Sequence, residues 1–316
     1  MDNTTKPQLL MIGMGAITTR TGDRVCKKYR ILDDDAAVTK DNISAMEREA
    51  NVYLMLGTHP HVAECLFVAP SKEYIELRYY PKGNLRDYRA MHAHDISDAR
   101  LEHWAYQMID SIAFIHSKGV RHADIRLDQW LVDEQLNARL CDFNGCGHDG
   151  DAGLGLPGVR SMSLESSTHF LPRDPLEIST VGTDLFALGS ALYELVTNHK
   201  PFVGLSDDEI EVRFRQKQFP CTEGLLIGRT INGCWQGAFA SAVDVLDSIG
   251  GQGESLRPNA RAKSGFAALA KVYQMLHTAL HSVIFRIPRP VHYMLFLTLV
   301  PFVSFSTARW VKAYQR

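Results

Sequence analysis

The stretch that decides the fold runs from Gly119 to Gly147 and reads G-V-R-H-A-D-I-R-L-D-Q-W-L-V-D-E-Q-L-N-A-R-L-C-D-F-N-G-C-G. It contains two short apolar runs, 130–132 and 138–141, joined by a polar turn. This pattern predicts a β-hairpin with one loop before it and another after it. Because a hairpin brings its outer ends together, we expect Asp124 and Asp142, which lie in those two loops, to come close in space.

Two carboxylates at one end of a hairpin suit the transfer of a phosphoryl group. One carboxylate can accept the proton of an attacking hydroxyl, and the other can hold Mg²⁺, which neutralises phosphate charge. The residues around them resemble the eukaryotic protein-kinase superfamily. His122-Ala123-Asp124 is similar to the H-R-D of the catalytic loop, and Asp142-Phe143-Asn144 is similar to D-F-G. The style of these motifs resembles the divergent fungal kinase-like proteins.

The resemblance implies a role for each polar residue of this stretch. Asp124 would be the catalytic base and Asp142 would bind Mg²⁺. Arg126 stands where the loop usually has Lys, and it keeps the positive charge near the γ-phosphate. Gln129 stands at the Asn that provides a second metal ligand, and it keeps an amide oxygen but is one methylene longer. ATP and Mg²⁺ are therefore the expected cofactors.

The glycines near the amino terminus match only part of a kinase motif. The kinase glycine loop reads G-x-G-x-x-G-x-V, in which glycines let the backbone approach the phosphates. Gly13 and Gly15 fit it and would bind the nucleotide, but Thr18 stands at the third glycine. An ordinary turn is the alternative interpretation. The short distance from Gly15 to Lys27 predicts a clipped hairpin.

A lysine and a glutamate form the next expected pair. Val25-Cys26-Lys27-Lys28 resembles the V-A-I-K strand of kinases. Neighbouring residues point to opposite faces of a strand, so we assign Lys27 to the cleft; two solvated lysines are the alternative. The following helix is predicted from a capping box at Ser44 to about Leu56, with Glu49 on its apolar face. A carboxylate there needs a partner, which the resemblance identifies as the strand lysine; a surface glutamate is the alternative.

Residues 74–80 predict a strand, and 81–85 predict a turn. Together they resemble the hinge between kinase lobes, E-Y-x-x-G-G-x-L. The resemblance implies that Leu77 lines the back of the adenine pocket, that the backbone around Tyr79 pairs with adenine, and that Asn84 lies near the ribose. A plain strand and turn is the alternative.

Two helices with strong apolar patterns follow. One is predicted to start at a cap at Asp98 and to end at Gly119, with a structural role for His116. The other, 183–196, resembles the kinase pattern s-D-x-W-S-L-G-x-x-L-Y-E-L and is apolar on most sides, which predicts burial. In the family its Asp holds the catalytic-loop backbone. Asp184 takes that place here, with a simple helix cap as the alternative.

Composition limits the broad class of the protein. The chain has 316 residues, of which 45% are hydrophobic and 22% charged, enough for a two-lobed globular domain. A formal net charge of −2 indicates no basic surface for nucleic acid. The six cysteines form no C-x-x-C pair, and the first residues do not form a signal peptide, so we expect an intracellular, cytoplasmic location.

The expected fold class is α+β, a bilobal protein-kinase-like fold with a small β-rich lobe at 1–80 and a larger helical lobe at 81–248. The segment 249–316 is interpreted as a linker, a helix and a hydrophobic tail. Within it, residues 290–308 contain no Asp, Glu, Lys or Arg and reach the lower length limit of a membrane span. A membrane anchor, a docked or peripheral helix, and an unstructured tail are all open.

Three functions are open from the sequence. The first is a Ser/Thr-type protein kinase that acts on a protein substrate, favoured by Asp124, Asp142, Glu49 and a strand lysine. The second is a pseudokinase, nucleotide-binding or ATP-free, that acts as a scaffold for a client protein; Gln129 and the incomplete glycine loop favour it. The third is a small-molecule phosphotransferase, which the protein-kinase-like helix pattern at 183–196 disfavours.

Overall fold

A computed structural model describes residues 6–162, 165–174 and 177–250. It shows the predicted α+β architecture, with a β-sheet in the amino-terminal region and mainly helices in the carboxyl-terminal region. The sequence predictions for the helix at 266–285 and for the hydrophobic tail at 290–308 lie outside the described residues. None of the described helices is both long and apolar enough to cross a membrane.

The amino-terminal region is one antiparallel sheet of five strands in the order β1-β2-β3-β5-β4. The strands are β1 Gln8–Ile12, β2 Ala16–Thr21, β3 Arg24–Tyr29, β4 Cys65–Val68 and β5 Tyr74–Arg78. Position 27 on β3 pairs with Ile75 on β5. Cross-strand partners share a face of the sheet, so Lys27 lies on the same face as the fully buried Ile75.

Helix α1, Ala36–Leu56, packs against this sheet and contributes Glu49 to its buried side. Its amino terminus is capped by Asp35, whose side chain accepts a hydrogen bond from the amide of Val38 at 3.0 Å. The predicted start at a Ser44 capping box is therefore wrong by two turns. The first two turns carry little apolar periodicity, because most of their side chains are exposed, and so they gave no helix signal.

The carboxyl-terminal region is built around two buried helices. These are α3, Asp98–Ser117, capped by Ser97 and not by Asp98, and α4, Val181–Thr197. A capping box between Thr180 and Thr183 starts α4, so Asp184 is free for another role. The surrounding helices are α2 Leu85–Met91, α5 Asp207–Arg215, α6 Gly228–Gln236 and α7 Ala242–Gly250. Helix α7 extends two residues into the segment that was predicted to be linker.

The predicted hairpin is present as β7, Trp130–Val132, and β8, Ala138–Leu140, preceded by a short 3-10 helix at Leu127–Gln129. A second hairpin, β9 Gly147–Asp151 and β10 Leu156–Val159, was not predicted. It pairs with the two-residue strand β6, Val120–Arg121, and makes a three-stranded sheet. The chain that follows Asn144 is thereby hydrogen-bonded, through β9, to the strand that leads into the catalytic loop.

Candidate active site

The β7–β8 hairpin brings Asp124 and Asp142 together, as its sequence predicts. Trp130 pairs with Leu140, so the ends of the two strands that carry the loops lie side by side. The two carboxylates are near enough for the charge of Asp142 to contribute to a raised pKa at Asp124. Two acidic groups eighteen positions apart in sequence thus form one site.

The backbone of the catalytic loop is held by Asp184. This carboxylate is only 1% exposed and accepts hydrogen bonds from the amides of His122 at 2.8 Å and Ala123 at 2.9 Å. His116 on α3 bonds to the same carboxylate through Nε2 at 2.9 Å, which is the structural role predicted for it. Ala123 adopts a φ of 62°, a left-handed conformation that is strained for a residue with a Cβ. Asp184 therefore holds the loop in a shape that it would not adopt alone.

Asp124 is partly buried and carries two donors. Arg126 Nη2 and Gln129 Nε2 each donate to its Oδ2 at 3.0 Å. Burial raises the pKa of Asp124, and the neighbouring guanidinium of Arg126 offsets part of that rise. Gln129 is buried, with its amide nitrogen facing Asp124. In this placement the group that Gln129 presents to Asp124 is a donor.

Asp142 is held in place by the residue that follows it. Phe143 is fully buried, and its ring meets Tyr53 on α1 edge-on at 5.2 Å and His122 at 5.4 Å. Asp142 itself has a φ of 68°. Its Oδ1 lies 2.6 Å from Lys27 Nζ. Burial alone would raise the pKa of Asp142, but the ion pair with Lys27 outweighs it and the pKa is lowered.

Lys27 joins the sheet, helix α1 and Asp142. Its Nζ lies 2.7 Å from Glu49 Oε2 and 2.6 Å from Asp142 Oδ1. Burial disfavours the ammonium, but the two carboxylates outweigh it and raise the pKa of Lys27 above its ordinary value. Lys28 points the other way, half exposed, with its Nζ 4.0 Å from Glu73. Lys27 is thus the lysine that faces the two carboxylates.

Leu77 and Tyr79 were predicted to lie at the adenine pocket. Leu77 is buried on β5, on the same face as Ile75 and Lys27, and its place at the adenine pocket stays a prediction. The backbone amide of Tyr79 donates to Asp23 O at 2.8 Å, and its ring packs under Arg20. That amide already has a partner, and the pairing of the hinge backbone with adenine stays a prediction.

Asn84 serves as a helix cap, and its place near the ribose stays a prediction. Its side chain caps α2 by accepting from the amide of Asp87 at 2.9 Å and donating to the Asp87 carboxylate at 2.8 Å. Both ends of the amide are engaged within the helix cap. A ribose contact from this side chain would have to displace one of these bonds.

The glycine loop is a short turn anchored at its base. Gly13 donates to Ala16 O at 2.9 Å, and Gly15 O accepts from the amide of Arg30 at 2.9 Å. A Cβ at Gly15 would lie 3.1 Å from the side-chain oxygen of Asn42 on α1, so glycine is needed for this close approach. Ile12 at the end of β1 pairs with Ile17 on β2. The hairpin predicted to be clipped, between Gly15 and Lys27, is β2–β3, in which Thr21 pairs with Arg24 across a short turn.

Sequence reasoning missed two ion-pair groups around the site. Arg173 pairs with Glu165 at 2.8 Å, and both side chains are buried. Arg86 on α2 bridges Asp128 of the catalytic loop at 2.6 Å and Glu194 of α4 at 2.8 Å. The opposite charges of residues 165 and 173, eight positions apart, were the one available sequence signal.

Comparison with known proteins agrees with this geometry. A family model described as "Protein kinase domain" matches residues 14–261. The chain belongs to the protein kinase family. It is similar to human "Protein kinase C eta type", at 24% identity over 62% of this chain and 28% of that protein.

Two further relatives are serine/threonine kinases by name. "CBL-interacting serine/threonine-protein kinase 8" of Arabidopsis thaliana is 26% identical over 67% of this kinase chain and 47% of its own length. "Serine/threonine-protein kinase PDK1" of Cryptococcus neoformans var. grubii is 31% identical over 48% of this chain and 13% of its own length. The chain therefore spans less than half the length of these curated relatives. The assignment to a divergent fungal subgroup stays a prediction.

Proposed function

We propose that this chain is an ATP-dependent protein kinase that transfers the γ-phosphate to a serine or threonine hydroxyl of a protein substrate. The observation that carries the proposal is the position of Lys27, which contacts Glu49 and Asp142 at once while Phe143 is buried beneath α1. In the protein kinase family the lysine–glutamate pair and the metal-binding Asp must both be in place for transfer. Here both conditions hold in a single arrangement.

The residues present fit a divalent metal at Asp142. Within the described residues its Oδ2 receives no hydrogen bond, and the side chain is one-third exposed. Asp142 would hold Mg²⁺, which when bound neutralises charge on the phosphates. Gln129 fits less well, because its amide nitrogen is turned to Asp124. To serve as a ligand, Gln129 would have to present its amide oxygen.

The remaining side chains supply positioning and proton transfer. Asp124 accepts the proton of the substrate hydroxyl through a carboxylate whose pKa is raised by burial. Arg126, bonded to the same carboxylate, brings a positive charge that never titrates in the working range. Lys27, fixed by Glu49, orients the nucleotide phosphates.

A protein rather than a small molecule is the proposed acceptor. The relatives named above are protein kinases, which supports this substrate class. A cleft of about 680 Å³ also borders Leu127 of the catalytic loop. Its walls include residues 166–168 and the loop 198–205 after α4. This cleft is the proposed binding place for an extended peptide segment of the substrate.

The pseudokinase alternative has a specific observation in its favour. Gln129 uses its amide nitrogen to bond Asp124, which ties the expected second metal ligand to the expected base. The glycine loop is also incomplete, because Thr18 stands at the third of the glycines that let the backbone approach the phosphates. A scaffold that binds nucleotide weakly, or not at all, would retain this architecture.

Thermal melting with ATP and a transfer assay separate these functions. We expect the full chain to melt at a higher temperature with ATP and Mg²⁺ than with ATP alone. Asp124→Asn should keep that shift but lose transfer to itself and to casein by about 10²–10⁴-fold, the range for a general base. Asp142→Asn should lose the Mg²⁺-dependent part of the shift.

Each outcome has a distinct meaning. If wild type shows no shift with ATP, the pseudokinase interpretation replaces the kinase. If wild type shifts and transfers but Asp124→Asn transfers equally fast, the chain is a kinase with a different base.

A further inference from the structure

A small pocket lies at the three-stranded sheet of β6, β9 and β10. Its volume is about 280 Å³, below the roughly 300–1,000 Å³ of pockets that bury drug-sized ligands. Arg121, His148 and Arg160 line it, together with Ser161 and Ser179. All five present hydrogen-bond donors or can do so. A pocket of this size and chemistry suits a small acceptor-rich group.

Positive charge is in excess at this pocket. Arg121 pairs with Asp149 at 2.6 Å, and Asp149 is the one carboxylate among the pocket-lining residues. Arg160 is exposed and has no ion-pair partner in the part of the chain that is described. Arg48 of α1, close enough to affect the His148 ring, is buried and donates only to the carbonyls of Cys146 and Arg160. The lining therefore carries two arginines and one carboxylate, and a third arginine, Arg48, acts on His148 from nearby.

His148 is the second, independent observation. It is 2% exposed, and neither ring nitrogen has a hydrogen-bond partner among the described residues. Burial lowers the pKa of His148, Arg48 and Arg121 lower it further, and Asp149 opposes them. A neutral imidazole with two unpartnered nitrogens inside a structure is unfavourable. An anion in the pocket would supply the missing partner.

We propose that this pocket binds a phosphate-type oxyanion, either inorganic phosphate or the phosphate of a monoester. Guanidinium groups, which Arg121 and Arg160 provide here, can bind such an anion through two parallel hydrogen bonds. The hydroxyls of Ser161 and Ser179 and the ring of His148 complete the donor set. The anion would link β6 and β9 to Arg160, Ser161 and Ser179. This inference does not depend on kinase activity.

The first test measures melting of the full chain in sulfate against chloride at equal ionic strength. Sulfate is used because it remains a dianion across the range in which histidine titrates. We expect a saturable rise of about 5–10 °C at 100 times Kd. A response no larger than that to chloride overturns the proposal.

Two variants localise the response. Arg160→Gln removes an exposed side chain with no ion pair in the described chain, so the protein should fold and the sulfate rise should fall by at least half. Arg229→Gln is the matched control, since Arg229 is also exposed and without an ion pair in the described chain but lies on α6. Equal responses of the two variants overturn the pocket as the site.

Two further arms address the competing site and the source of the anion. Sulfate could also bind beside Lys27, and Lys27→Met tests this competing site. If sulfate binds in the pocket, Lys27→Met should keep the rise in melting temperature. A rise that is lost in Lys27→Met and retained in Arg160→Gln overturns the proposal. Phosphoserine and inorganic phosphate are then compared at equal concentration. Tighter binding of phosphoserine indicates a monoester as the natural ligand, and tighter binding of phosphate indicates the free ion.

The pH dependence of sulfate binding gives a readout specific to His148. The charged groups that act on its ring are Arg48 from α1, Arg121 from β6 and Asp149 on β9, and Arg160 after β10 lines the same pocket. We expect wild type to bind sulfate more tightly as pH falls, and His148→Gln to lose that dependence. A wild-type affinity that does not change with pH overturns the role of His148.

Discussion

Replacement of Asp184 by alanine should destabilise the protein as strongly as any single change near the site. The carboxylate accepts from the amides of His122 and Ala123 and from Nε2 of His116, and it is 1% exposed. Alanine leaves three buried donors without an acceptor, and each costs about 1–3 kcal/mol. Because the loop can relax its left-handed Ala123, we expect a total loss of about 3–5 kcal/mol, as for other buried groups that lose a charged partner.

The assay is thermal unfolding of the full chain by circular dichroism. A domain of this size loses about 2–4 °C per kcal/mol, so Asp184→Ala should melt about 6–20 °C below wild type. Asp184→Asn keeps one carbonyl oxygen as acceptor and should show roughly half that loss. Ser190→Ala is the matched control on the same helix. Ser190 accepts one neutral hydrogen bond from Trp235 Nε1 at 2.9 Å, worth about 1 kcal/mol.

Equal falls in melting temperature for Asp184→Ala and Ser190→Ala would show that the buried carboxylate of Asp184 does not hold the loop. Wild-type stability of Asp184→Asn would show that the second acceptor oxygen contributes nothing. Transfer activity offers a separate check. At a temperature where Asp184→Ala is still folded, its rate should fall, because the backbone that carries Asp124 is no longer held.

Three further predictions concern the site. Lys27→Met should lower kcat/KM by at least about 100-fold, because the nucleotide phosphates lose the group that positions them. Lys28→Met changes an exposed side chain, and its kcat/KM should stay within about twofold of wild type. Equal effects of the two variants would contradict the assignment of Lys27 to the cleft. Glu165→Arg and Arg173→Glu should each destabilise the folded protein by about 3–5 kcal/mol. The double variant with both charges exchanged should recover most of that loss in a melting experiment. No recovery in the double variant would contradict a stabilising ion pair. The third prediction concerns pH: burial raises the pKa of Asp124, and Arg126 offsets part of that rise. Arg126→Gln should therefore move the acidic limb of the rate profile to higher pH. A shift to lower pH would show that Arg126 does not act on Asp124.

The parts of the structure that the sequence predicts are those with local signals. The β7–β8 hairpin follows from two apolar runs around a polar turn, and the approach of Asp124 and Asp142 follows from the hairpin. Lys27 and Glu49 could be assigned because strand alternation and helix periodicity each leave one polar residue on an apolar face. In each case a few neighbouring residues carry the information.

The parts that were missed depend on partners far along the chain. Tyr79 donates its amide to Asp23, a strand neighbour that no local pattern identifies. The β9–β10 hairpin has little apolar alternation, and its pairing with β6 crosses the whole catalytic loop. The predicted start of helix α1 was too late because the side chains of its first turns are exposed. The cap at Asp35 was the only signal in that part of the sequence. Asn84 fits both a hinge motif and a helix cap, and the sequence does not choose between them.

The bond from Asp184 to the catalytic loop has a consequence for synthesis of the chain. The acceptor lies 62 residues after the amide of His122 that it holds. At about 5–20 residues per second on the ribosome, the loop emerges roughly 3–12 s before the helix that fixes its shape. During that interval the nascent chain carries Asp124, the proposed base, without the loop conformation that Asp184 imposes. The proposed transfer activity is therefore expected only after α4 has been translated and has folded onto α3.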